Sequence, residues 1–124
     1  MGTRFFYFIF IENNEVVTDS KKVAEVFGKR HNDLMKRIRE LNNELGGVGE
    51  KSHTYFTSSF YENEQNNQVY EKYLLTRDGF TLLVMGFTGK KALQFKMMYI
   101  NEFNRMEQEL KKHLLLTLGY VKHT

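Results

Sequence analysis

The stretch from Val16 to Leu41, VVTDSKKVAEVFGKRHNDLMKRIREL, constrains this chain more than any other. Asp19 or Ser20 is a helix-start residue, because a short side-chain oxygen there accepts a backbone N–H that the first turn leaves unpaired. Val23, Val26 and Phe27 follow at helical spacing and make one apolar face. Gly28 supplies a backbone angle that a Cβ would resist, so it ends that helix. A second start at His31 or Asn32 opens another helix, with Leu34, Ile38, Leu41 and Leu45 as its buried line. Lys29, Arg30, Lys36, Arg37 and Arg39 are left to point elsewhere. Two helices joined at a glycine, the second basic, have the outline of a helix-turn-helix. Double-stranded DNA is therefore the first partner to consider. The spacing departs from the usual pattern in one respect. Ala24 and Gly28 sit where a small residue and a turn glycine belong, but Ile38 falls one position late. A longer turn through Lys29-Arg30 accounts for that, as would a different helix pair.

Charge is informative in its distribution. The chain has 124 residues with a formal net charge of +3. Between Lys29 and Arg39, however, the only acid is Asp33. A basic cluster inside a balanced chain marks a binding face better than uniform basicity does. Lys36 and Arg39 share an exposed face of the second helix, which assigns Lys36 to the groove and Arg39 to phosphate. Arg30, ahead of the helix, is placed near the end that meets base edges. Arg37 borders the buried stripe and is either a contact or a packing residue. His31 is either a base or phosphate contact, or a cap and turn residue.

Downstream, Gly46-Gly47-Val48-Gly49 reads as a loop. Two strands follow, about 54–61 and 69–75, around the polar tip Glu62 to Gln68. Alternation places Phe56 and Phe60 on one face. A hairpin behind a helix pair has the position of a wing, although Glu62 and Glu64 at its tip would repel phosphates. Thr76 caps a helix from Arg77 to Gly86 that is apolar nearly all round, which predicts a place at the centre of the core. Gly86-Phe87-Thr88-Gly89-Lys90-Lys91 lacks the glycine spacing of a phosphate-binding loop and is a helix–helix turn, with Thr88 as cap of a long final helix. Lys90 and Lys91 in that helix's first turn oppose its dipole, which favours a binding role for them. Farther along, Phe103, Met106 and Leu110 form a narrow apolar line, the seam of a helix pair between two copies.

The fold expected is α+β: a helix-turn-helix-like pair, one or two β-hairpins, a buried helix and a long carboxy-terminal helix, winged-helix-like in outline. The apolar run from Phe5 to Ile11 is too short to span a bilayer and reads as a first strand ending at Asn13-Asn14. With no cysteine there is no disulfide frame, thiolate nucleophile or cysteine zinc site, which suits a reducing cytoplasm. His53, His113 and His123 have no acidic partner at metal-ligand spacing, so no metal or cofactor is expected. Ser20, Ser52, Ser58 and Ser59 lack a nucleophile's context, and no enzyme or small-molecule substrate is expected. Tyr55, Tyr61, Tyr70 and Tyr73 read as cross-strand packing rather than as a stacking platform for bases.

Three blocks, VVTDSKKVAEVFGKRH, YLLTRDGFTLLVMGFTGKKA and FNRME, strongly resemble the phage regulatory protein Rha family of bacteriophages and prophages. The likeness runs from about Phe10 to Lys112. It implies a DNA-associated regulator of phage growth, acting in the cytoplasm of a bacterial host. By that likeness, residues 1–9 are an atypical amino-terminal strand segment, 10–112 the regulatory domain and 113–124 a carboxy-terminal tail. The expected partners are double-stranded DNA and a second copy. The competing reading is an antirepressor module that captures a phage repressor or host regulatory protein.

Overall fold

The computed structural model describes residues 9–119. Of the apolar amino-terminal run, residues 5–8 lie outside the described residues, as does His123. Strand β1 (Phe10–Glu12) turns through Asn13 and Asn14 into β2 (Glu15–Asp19), with Glu12 opposite Glu15. Both turn asparagines have positive φ, 52° and 61°, as a two-residue hairpin loop requires to match strand twist. Helix α1 (Ser20–Phe27) follows directly, then α2 (His31–Gly47) and a 3₁₀ turn (Ser52–Thr54). The hairpin β3 (Phe56–Glu62) and β4 (Val69–Leu75) leads to α3 (Arg77–Val84) and α4 (Lys90–Thr117). The four strands form one antiparallel sheet in the order β1-β2-β4-β3. Thr18 and Asp19 at the end of β2 pair with Leu75 and Leu74, which joins the first hairpin to the second.

Local chemistry explains the junctions. Asp19 caps α1, its Oδ1 accepting the Lys22 N–H at 2.7 Å. Gly28 ends α1 in the left-handed region at φ 66°. Thr76 caps α3 by accepting the Gly79 N–H. The α1–α2 turn is Gly28-Lys29-Arg30, so the late position of Ile38 follows from a longer turn.

The core lies where α1, α2, α3 and the middle of α4 converge on β2 and the adjoining ends of β3 and β4. Val23, Ile38, Leu75, Phe80, Tyr99 and Phe103 are fully buried there. Phe80 stacks on Tyr99 with ring centroids 4.4 Å apart, and Phe27 touches Phe80, Phe87, Phe95 and Tyr99. Leu34, Ile38 and Leu41 point inward as their spacing predicts, joined by Met35.

Three expectations are corrected. Helix α3 ends at Val84 rather than Gly86 and buries one face only; Met85, just past its end, is 69% exposed. The residue before α4 is Gly89 rather than Thr88, with φ 101° and ψ 161°, a conformation that only glycine adopts readily. No side chain caps that helix. Phe60 shares a face with Phe56, as alternation predicts, and is 64% exposed, since that part of the hairpin extends past the core. Phe103 is not on an outer seam: it packs against Phe80 inside the chain's own core, with Met106 and Leu110 partly buried beside it.

Candidate nucleic-acid interface

Only part of the basic cluster keeps its charge uncompensated. Arg37 lies 3.6 Å from both Glu40 and Glu44. Arg39 reaches Glu71 on β4 at 3.3 Å, and Arg30 faces Asp33 at 3.7 Å. Exposed pairs of this kind add little to stability, but they cancel much of the field a phosphate would feel. On the helical wheel of α2, Arg37 and Arg39 flank the buried stripe on opposite sides, so they do not share a face. Lys36 points away from the core and meets no carboxylate among the described residues.

Lys29 is brought to a different set of neighbours. It lines an open pocket of about 310 Å³ together with Gly28, Phe87, Thr88 and Lys91. Its Nζ sits 4.9 Å from the centre of the Phe87 ring, a cation–π contact that holds the ammonium at the rim. Lys91 comes from the first turn of α4, so two turns far apart in sequence meet at one opening. Glu25 also lines the pocket, but its carboxylate pairs with Lys21 at 3.2 Å. Helix α4 has no acid in its first turn and no side-chain cap, which leaves its first backbone N–H groups, beside Lys90 and Lys91, without a side-chain acceptor at the cap. A helix start of this kind, with two lysines on it and a third across the opening, suits an anion.

His31 is not a cap: α2 has no side-chain capping bond at its start. Instead its Nε2 lies 2.8 Å from Ser20 Oγ, which ties the start of α2 to the start of α1. Ser20 Oγ also accepts the Tyr73 N–H at 3.0 Å, tying both helices to β4. Beside it the buried Asp19 receives Lys72 Nζ at 2.8 Å and Lys22 Nζ at 3.2 Å. Burial alone would raise the Asp19 carboxyl, but the hydrogen bonds from Lys72 and the Lys22 N–H, with both charges, hold it below its ordinary value. Burial lowers His31, against the pull of Asp19. Ser20 is fully buried, so this Ser–His contact is a joint of the fold and offers no reachable nucleophile.

Of the tyrosines read as cross-strand packing, Tyr61 and Tyr70 form such a pair, whereas Tyr73 is opposite Ser58 and Tyr55 precedes β3. Tyr61 and Tyr70 are opposite one another on β3 and β4, centroids 5.8 Å apart. Lys21 lies over the Tyr61 ring at 5.2 Å and His31 meets it edge-on at 6.2 Å. These basic neighbours come from α1 and α2, so no reading along the hairpin alone finds them. Among the described residues no group of three His, Cys, Asp or Glu is placed to hold a metal, and no helix is long and apolar enough to cross a membrane.

The architecture is thus an α+β domain in which a glycine-linked helix pair is followed by a β-hairpin, with a basic opening at the helix turn. Residues 18–108 match the family described as phage regulatory protein Rha. The chain belongs to that family. An uncharacterised protein of Haemophilus influenzae is 35% identical over 101 residues, which are 82% of this chain and 57% of that protein. An uncharacterised 22.8 kDa protein of Salmonella phage P22 is 35% identical over 103 residues, 78% of this chain and 47% of the relative. A Bacillus subtilis SPbeta prophage-derived protein that carries an antirepressor name is 33% identical over 100 residues, 81% of this chain and 39% of the relative. The chain therefore spans about half the length of these relatives. No solved structure matches it significantly.

The family blocks are now explicable. VVTDS is the buried end of β2 with the α1 cap, and GKRH is the turn with the Ser20-bound histidine. YLLTRDGF is β4 running into the capped α3, and FNRME carries the buried Phe103. Most of what makes the sequence recognisable builds the domain.

Proposed function

We propose that this phage regulatory domain is non-catalytic and binds double-stranded DNA through the opening between the α1–α2 turn and the start of α4, acting in the host cytoplasm. The observation that carries this reading is the meeting of Lys29 and Lys91, with Lys90 adjacent, at an uncapped helix start. Lys36 continues the basic surface along α2, whereas Arg30, Arg37 and Arg39 contribute less because carboxylates face them. Phosphate contacts release counterions, so affinity falls steeply with salt. The test is the double variant Lys29→Ala, Lys91→Ala, titrated with duplex DNA at several salt concentrations. Folding should stay within about 0.5 kcal/mol of the parent. The log–log salt slope should flatten by roughly two units, about one per lost contact. An unchanged slope and affinity would remove the opening from the interface.

A second reading is an antirepressor module that captures a repressor or host factor. It is favoured by the carboxylates that face Arg30, Arg37 and Arg39 and by the antirepressor name of the Bacillus relative. Protein capture would bury apolar surface and respond weakly to salt, so the same titration separates the two. A homodimer suits either reading, and a two-fold DNA site in particular.

A further inference from the structure

His31 and Asn32 are the first two residues of α2, the end of the second helix that meets base edges in helix-turn-helix proteins. Ser20 Oγ accepts the Tyr73 N–H and has one proton of its own to place. Its neighbours are His31 Nε2 at 2.8 Å and the Met35 thioether at 3.5 Å. The imidazole nitrogen is nearer, and sulfur is a weak acceptor, which favours donation to Nε2 over the Met35 thioether. A neutral imidazole that accepts at Nε2 carries its proton on Nδ1. Asp19, Lys21, Glu25, Arg39 and Glu71 surround the ring with both signs of charge, and burial keeps it neutral. Nδ1 has no hydrogen-bond partner among the described residues. His31 lines an open cleft of about 260 Å³ with Asn32, Arg39, Tyr61 and Tyr70. Asn32 is exposed and its amide is likewise unengaged.

We propose that His31 and Asn32 are the base-reading pair: His31 Nδ1–H donates to an acceptor on a base's major-groove edge, and Asn32 pairs with a neighbouring adenine. This rests on the DNA reading above. Adenine offers N7 as acceptor and its amino group as donor, which an amide matches at two points, and purine N7, guanine O6 or thymine O4 accepts from the ring. The division of labour is physical. Neutral donors held by the fold read sequence, while the lysines supply affinity without sequence information.

Two measurements on the full chain test it. Long-range ¹H–¹⁵N correlation spectra at neutral pH should show His31 protonated on Nδ1 and bare at Nε2. A proton on Nε2 overturns the assignment whether or not DNA binds. Selection of bound fragments from a random duplex library then compares the parent with Asn32→Ala, His31→Gln and His31→Asn. Asparagine places an N–H near the original Nδ1, whereas glutamine places it near Nε2. Asn32→Ala and His31→Gln should each lose on the order of tenfold or more of the preference at one base position, at unchanged salt slope, while His31→Asn retains it. A parent that binds DNA with the same selected sequence as Asn32→Ala and His31→Gln overturns the proposal alone. A parent that binds no duplex even at low salt removes the DNA reading and the proposal together.

Discussion

Gly79 lies in the first turn of α3, where an added Cβ would stand 2.1 Å from the Tyr55 carbonyl oxygen and 2.8 Å from its carbon. Both are backbone atoms, so no side chain can rotate away. Relief requires the 3₁₀ segment and the helix to part by roughly 1.3 Å or more before that contact reaches an ordinary distance. That separation breaks the Thr76 N–H bond to the Tyr55 carbonyl at 3.2 Å and the Thr76 hydroxyl bond to the Thr54 carbonyl at 3.1 Å. Overpacking costs about 1–3 kcal/mol, and two hydrogen bonds add about 1 kcal/mol each. Alanine's better helix propensity returns about 1 kcal/mol. Gly79→Ala should therefore destabilise by about 2–4 kcal/mol, a fall in Tm on the order of 10 °C for a chain of this size. Gly46→Ala is the matched control: Gly46 is also helical, but nothing stands within 4 Å of its Cβ position. There the same substitution should be neutral or stabilising by up to about 1 kcal/mol. Urea unfolding of both variants reads the difference in sign. A Gly79→Ala midpoint at or above the parent's would refute the close approach of α3 to Tyr55.

Gly28→Val puts a β-branched side chain at φ 66° with no steric neighbour, so backbone strain alone should cost about 1–2 kcal/mol and lower Tm. Loss of DNA binding at unchanged stability would make Gly28 a contact instead. Acid should weaken the fold in two steps. His31 is held neutral, so stability begins to fall below its ordinary value of 6.5 as the unfolded chain takes up a proton. The contribution of Asp19 is present above 3.8 and is lost as pH falls through its lower folded value. Thermal melts of His31→Gln should lack the upper step, and an unchanged profile would show that His31 does not couple to folding. Self-association is expected through the distal part of α4, where Leu110, Leu114 and Leu118 line an apolar groove of about 400 Å³ against Asn14, Glu15 and Val16. Light scattering should give near twice the 14.8 kDa chain mass, and Leu118→Glu should return a monomer; a parent mass that stays at one chain at every concentration removes the seam.

Much of this domain is legible from short stretches. The Asp19 cap, the Gly28 stop, the Thr76 cap and the paired strands around 62–68 depend on residues within a few positions of each other. Their physics is that of one turn or one hairpin. The line Leu34, Ile38 and Leu41 is equally plain, because helical period puts those residues on one face whatever covers it. The basic cluster was legible as composition but not as a field. Glu40 and Glu44 lie one turn and two turns past Arg37, and Glu71 reaches Arg39 from strand β4.

What the sequence determined by itself is therefore local: the order of elements, their caps and stops, the α+β class and the likeness to a family whose blocks are mostly structural. Only the tertiary structure decided which apolar face was covered and which charges met. Phe103 and Met85 show the first. One sits on a stripe that suggests an open seam and is buried against Phe80; the other belongs to a run that suggests a core and is exposed. Lys29 and Lys91 show the second, joined at one opening because α1, α3 and α4 pack around Phe27 and Phe87. Burial and electrostatic potential are sums over neighbours in space. A stripe records which side chains share a face, and only the packing of distant helices records what that face meets.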